Sequence, residues 1–260
     1  MLAHGASNGD FTRAAAANQT EWMARVAEAA GGIVRRERGV TWTASRAGAA
    51  LAFPELSRDR LQGLLPQFLS AAPRAGAREA SCWSLLPTEP EGLGEELEAA
   101  GFREGWQARW MAIEIASRSA PAPPDGVEVG IAPATWKATS LPWDGEGIAA
   151  VRSRLAGVQP RRVWHLGAWR AGRPVGHAVV NVTTGRLGVA GIYDMGVSPA
   201  ERRRGIGRAL TLAALQLAAI QGCSAATLNA TADGEPLYGA LGFKSVGVAQ
   251  TWWRDLDAQP

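Results

Sequence analysis

Residues 195–210 read MGVSPAERRRGIGRAL, placing four arginines, Arg202, Arg203, Arg204 and Arg208, and two glycines, Gly205 and Gly207, between an apolar strand-like run and an apolar helix-like run. That combination suits an anion. The first turn of a helix leaves N–H groups without intrahelical partners and carries the positive end of the helix dipole, and glycines let a ligand approach that backbone with no Cβ in the way. Arginines add charge-assisted hydrogen bonds, each worth roughly 1.5–3 kcal/mol where partly desolvated. A pyrophosphate fits so many donors better than a single carboxylate.

Three phosphate-binding designs compete for this loop. A P-loop needs a Gly-Lys pair followed by Ser or Thr, and no Gly-Lys pair occurs in the chain. A dinucleotide fingerprint needs a third glycine where Leu210 stands, and no acidic ribose ligand is evident downstream. The third design fits: VSPAERRRGIGRAL resembles the signature of the GNAT superfamily of N-acetyltransferases, Val-x-Pro followed by Arg/Gln-x-x-Gly-x-Gly/Ala. Arg202 takes the Arg/Gln position, and Gly205 and Gly207 are the two glycines. The likeness spans residues 127–256, including the order of elements and the later LYGALGF.

The resemblance implies an α+β fold with a mixed sheet, the GNAT acyl-CoA N-acyltransferase fold. It implies acetyl-CoA as cosubstrate, with pantetheine held by backbone near Met195, Gly196 and Val197, and pyrophosphate held by Arg202, Arg203, Arg204, Gly205, Ile206, Gly207 and Arg208. Asn229 resembles an asparagine that the family often turns to CoA. The tyrosine of LYGALGF follows it by nine residues, a longer spacing than is common in the family. Tyr238 stands where the family commonly places the general acid that protonates the departing thiolate. The amine attacks the thioester directly, so the enzyme chiefly orients the reactants and moves protons.

The general base is less plainly written. Family members with a glutamate or histidine base on the strand before the loop often carry it at the position of Gly191 or two residues later, which here is Tyr193. Tyr193, Asp194 and His177 are therefore candidates acting through water. Strict alternation puts Gly191, Tyr193, Met195 and Val197 on one face and Ile192 and Asp194 on the other, and a bulge would reverse the assignment. Substrate contacts in the family come largely from the segment holding Trp136, Trp143, Asp144 and Glu146. Trp143 beside Asp144 suits an ammonium group by cation–π attraction and charge pairing, while core packing and a solvated helix start explain the same residues equally well.

These groups need a frame. In the second half, VEVGIA reads as a strand, VWHLGAWRAGRPVGHAVVNV as a hairpin turning at RAGR, and LGVAGIYDMGV as the strand feeding the loop. Residues 207–221 form a helix apolar on nearly all sides, expected to be buried across a sheet face. In the first half a helix spans residues 11–30, two strands follow, and LSRDRLQGLLPQFLSAA is a helix that Pro66 should kink or break.

The two Gly-Phe pairs, Gly101-Phe102 and Gly242-Phe243, superpose at an offset of 141 residues, laying LEAAGF on YGALGF. Leu97 then aligns with Tyr238, and LSRDRLQG replaces the arginine loop. This suggests tandem domains, a degenerate GNAT-like domain over residues 1–119 and a catalytic one over 125–260, joined by the proline-rich ASRSAPAPPDG. The first would complete the sheet and wall the substrate site.

Of 260 residues 47% are apolar and 20% charged, which favours a folded globular chain over disorder. A net charge of +3 with the arginines clustered in one loop argues against nucleic acid. Cys82 and Cys223 match no metal or disulfide spacing, and neither a leader nor a membrane span stands out, so a cytoplasmic protein without metal is expected. The expected activity is acetyl transfer from acetyl-CoA to the primary amine of a small molecule or a peptide N-terminus, by a monomer or homodimer. A mycothiol-synthase-like acetyltransferase and a noncatalytic acyl-CoA sensor are the alternatives.

Overall fold

The structure, a computed structural model, describes residues 1–87, 90–115, 122–133 and 146–257. In chain order the elements are α1 (Asn8–Ala29), β1 (Ile33–Glu37), β2 (Val40–Ser45), β3 (Gly48–Ala52), α2 (Arg58–Arg74), β4 (Glu79–Leu85), α3 (Leu93–Ala99), β5 (Arg103–Glu114), β6 (Val127–Ile131), α4 (Glu146–Gly157), β7 (Val163–Arg170), β8 (Arg173–Val182), β9 (Ala190–Val197), α5 (Ile206–Ile220), β10 (Ala225–Ala230), α6 (Glu235–Ala240) and β11 (Lys244–Asp255). This is the expected mixed α+β class.

Packing groups these elements into two units that interleave along the chain. The arginine-loop unit comprises Met1–Asn18 with Trp110–Val246, and the companion unit comprises Gln19–Arg109 with Gly247–Pro260. Part of the proline-rich segment, residues 116–121, lies outside the described residues.

In the arginine-loop unit the strands run in the order β10-β9-β8-β7-β6, with residues 110–114 of β5 on the other side of β10. The β7–β8 hairpin closes through Ala171 (φ 48) and Gly172 (φ 73), a two-residue turn of the primed type that matches strand twist. β9 and β10 are parallel, so a crossover must join them, and α5 supplies it. One stripe of α5, Ile206, Leu210, Thr211, Ala214, Leu217 and Ala218, is buried. Its apolar members join a core with Ala178, Val180, Val182 and Ile192. As expected, α5 lies across a sheet face; Arg208, Gln216, Ala219 and Ile220 are exposed on its other side, because a helix laid on one sheet face buries one stripe whatever its composition.

The first 18 residues belong to this unit. Leu2 N–H donates to Gly188 O at 3.0 Å, Ser224 Oγ donates to Leu2 O at 2.5 Å, and Thr12 Oγ1 donates to Val246 O at 2.6 Å.

In the companion unit the order is β1-β2-β3-β4-β11, followed by residues 103–109 of β5. Here α2 is the crossover between parallel β3 and β4. The break expected at Pro66 does not occur: α2 continues through Pro66 and Pro73. Leu61, Leu64, Leu65, Phe68 and Ala72 anchor the helix on both sides of Pro66, and the Gln67 side-chain amide donates to Gly63 O at 3.2 Å. Phe68 meets Trp42 edge-on at 5.8 Å in the core.

Candidate functional site

β9 is where the sequence and the geometry part company. His177 pairs with Gly196 and Val179 pairs with Tyr193, so two residues of β9, Asp194 and Met195, lie opposite Ala178 alone. This is a β-bulge, with Asp194 at φ 46 in the left-handed region. The bulge corrects the strict alternation. Met195 and Val197 pack toward the α5 core, whereas Gly191 and Tyr193 turn to the opposite face, where Asn18 of α1 meets them.

Beside the bulge the parallel pairing stops. β9 and β10 are registered from Ala190↔Ala226 to Ile192↔Leu228, while β9 continues to Val197. The stretch 193–197 thus leaves its neighbour, and a cavity of about 810 Å³ opens there. Met195, Gly196 and Val197 line one wall; Glu201, Arg202, Arg203, Gly205, Ile206, Gly207 and Arg208 line the second; the segment from Thr231 to Tyr238 supplies the third.

The loop geometry explains its glycines. Gly205 precedes α5 with φ 79, a conformation that a β-carbon strains. A Cβ on Gly207 would stand 3.2 Å from Leu237 Cδ2, so glycine lets α5 and α6 approach across the cavity. The first amides of α5, with no intrahelical acceptor, face this region together with the positive end of the dipole.

The arginines divide into two sets. Glu201 lies 3.5 Å from Arg204 and 3.4 Å from Arg170 of β7, and Arg204 is not among the lining residues. Arg202 lines the cavity and donates from Nε to Val197 O at 3.2 Å, tying the loop to the strand. Arg203, at φ 62, and Arg208 complete the basic wall.

Tyr238 lies on α6, 7% exposed, with its ring edge-on to Phe243 at 5.8 Å. Burial pushes its phenol up to about 12, so it keeps its proton at neutral pH. Asn229 is half-buried on β10 and is not among the lining residues; Thr231, Asp233, Gly234, Pro236 and Leu237 line the cavity instead. The long spacing between Asn229 and Tyr238 was the sequence signal for this extra wall.

Of the base candidates, Tyr193 donates its phenol to Asn18 Oδ1 at 2.7 Å, and Asp194 is exposed at the bulge. His177 is fully buried in β8. Near it His165 of β7 is held down to about 3 by burial first and then by Arg152, His177 and Arg161, so it stays neutral. Trp136, Trp143 and Asp144 lie outside the described residues, as does the Glu146 side chain. Among the described residues no group of His, Cys, Asp and Glu could hold a metal ion, and no helix is long and apolar enough to cross a membrane.

Comparison with known proteins gives this geometry a context. Residues 131–243 match the family model described as "Acetyltransferase (GNAT) family". A GCN5-related N-acetyltransferase from Kribbella flavida superposes with TM-score 0.64 at 18% identity, over 92% of this chain and 93% of that one. A tandem GNAT protein from the clavulanic acid biosynthesis pathway superposes with TM-score 0.58 at 16% identity, over 98% of both chains. A functionally unknown conserved protein from Staphylococcus epidermidis gives 0.57 at 13%, over 87% of this chain and 95% of that one. No curated protein matches in sequence.

Proposed function

From the match of residues 131–243 to the GNAT acetyltransferase family, we propose that this protein transfers the acetyl group of acetyl-CoA to a primary amine, of a small molecule or a peptide N-terminus, by direct attack. The observation that carries this reading is the cavity at the splayed end of β9, which joins a run of strand backbone to a helix N-terminus flanked by Arg202, Arg203 and Arg208. The donors suit a pyrophosphate, and the backbone at Met195, Gly196 and Val197 suits the amides of pantetheine. The thioester supplies an activated acyl group. The chain's own residues would bind it, orient it and move protons.

Tyr238 is the proton donor in this reading. Its buried phenol is neutral at working pH and lines the same cavity as the anion loop, which suits protonation of a departing thiolate. Tyr193, on the far side of the bulge, is the group assigned to the amine. An N–H donor at the thioester oxygen, from β9 backbone near Met195, would stabilise developing charge.

The test has two stages. Calorimetry with acetyl-CoA should give one binding site per chain. CoA release across an amine panel, followed with a thiol reagent, should then reveal turnover. Binding without release by any amine would favour a sensor; absence of binding would defeat both readings.

A further inference from the structure

Asn18 is wholly buried on α1, far in sequence from the strands it meets. Its amide orientation is fixed by its partners. Nδ2 donates toward Val189 O at 2.9 Å, Asn181 O at 3.1 Å and Thr183 Oγ1 at 3.1 Å. Two of these are carbonyls, which can only accept, so the nitrogen must lie on that side. Oδ1 is thereby turned the other way, where it accepts from Asn181 Nδ2 at 3.0 Å and from the Tyr193 phenol at 2.7 Å.

Gly191 belongs to the same arrangement. A Cβ at this position would lie 2.1 Å from Asn18 Oδ1, 2.5 Å from Tyr193 Cε2 and 2.8 Å from the Tyr193 oxygen. The Tyr193 ring therefore runs back along its own strand and sets its oxygen over residue 191, a place that only glycine leaves open. A phenol whose proton is committed to Asn18 meets other groups as a hydrogen-bond acceptor.

We infer that Asn18 is a positioning residue for the acceptor end of the site, holding the Tyr193 oxygen over Gly191 as a fixed hydrogen-bond acceptor for the incoming amine. This rests on the acetyltransferase reading. It adds that α1, outside the segment matched by the family, sets the direction of the Tyr193 phenol through one amide.

The protein has two tyrosines, Tyr193 and Tyr238, so 13Cζ-tyrosine labelling gives two NMR signals that Tyr238→Phe assigns. In Asn18→Ala the Tyr193 signal should move while the Tyr238 signal stays. The kcat should fall about tenfold with KM for acetyl-CoA held within about twofold, and adding Asn18→Ala to Tyr193→Phe should lower kcat no further. Should Asn18→Ala fail to fold, Gly191→Ala keeps both partners, displaces their contact, and should give the same shift and the same kcat loss. An unchanged kcat with a displaced Tyr193 signal overturns the inference, as do fully additive losses in the double variant. A wild type that binds acetyl-CoA but acetylates no amine overturns the acetyltransferase reading, and this inference with it.

Discussion

The stretch from β9 to α6 and the stretch from β3 to α3 run through the same order of elements, strand, crossover helix, parallel strand and short helix, yet only the first holds the cavity described above. In the companion unit β3 is paired to its end, from Ala49↔Ala80 to Ala52↔Trp83, and Phe53 N–H then donates to Trp83 O at 2.8 Å. In the arginine-loop unit β9 runs on five residues past its last partner, Ile192↔Leu228. The arginine at the start of each crossover helix differs in the same sense. Arg58 Nε lies 2.5 Å from Glu96 Oε1 and its NH2 lies 3.2 Å from Glu95, both on α3, whereas Glu201 takes Arg204 and leaves Arg202, Arg203 and Arg208 on the cavity wall. The cavity thus coincides with two features that the companion unit lacks at the matching place, a strand that outruns its neighbour and arginines on the cavity wall.

The largest effect expected from breaking this comparison comes from the loop backbone. Gly205→Val places a β-branched residue at φ 79, and Gly207→Val presses on Leu237. Acetyl-CoA affinity measured by calorimetry should fall about 100-fold or more in each. Next comes the proposed acid: Tyr238→Phe should lower kcat about 100-fold while acetyl-CoA affinity stays within about twofold. Because burial pushes Tyr238 up to about 12, the wild-type pH–rate profile should show no loss from its ionisation up to about pH 10.

A stability measurement separates the units in another way. All three histidines, His4, His165 and His177, fall in the arginine-loop unit. His165 is depressed in the fold from 6.5 to about 3, so the stability linked to its neutral form is complete above about pH 6.5 and drains away as pH falls toward 3. Thermal melts across this range should therefore show a steep acid limb that His165→Leu flattens by close to one proton. An unaltered limb would shift the acid sensitivity to carboxylates.

Smaller effects sharpen the electrostatic half of the comparison. Glu201→Gln should tighten acetyl-CoA binding about threefold by releasing Arg204 and Arg170 from their carboxylate, an effect that salt should erode. The double change Glu95→Gln with Glu96→Gln frees Arg58 but opens no gap beside β3, so calorimetry should still count one acetyl-CoA per chain. A second site there would show that charge alone suffices.

The sequence made the shape of the arginine loop legible because it is local: Arg202, Gly205 and Gly207 lie within one turn of chain, and the φ of Gly205 follows from its neighbours. The repeated Gly-Phe ending exposed the parallel organisation of the two halves for the same reason. The faces of Met195 and Val197 relative to Tyr193 were not legible, since one bulged residue, Asp194, inverts every assignment after it and is set by register against β8. Nor was Asn18, whose partners lie 163 to 175 residues away. The break expected at Pro66 misled in the opposite direction, because five buried side chains outweigh the backbone donors missing at Pro66 and Pro73.

The interleaving of the two units has a consequence for how the polypeptide is made. Residues 1–18 are made long before the rest of their unit, Trp110–Val246, and the companion unit waits for β11 from Gly247 onward. Neither can close on a nascent chain cut anywhere before its last strand. Co-translational folding by halves is thus denied to these two units, and the growing chain must be shielded until β11 has emerged.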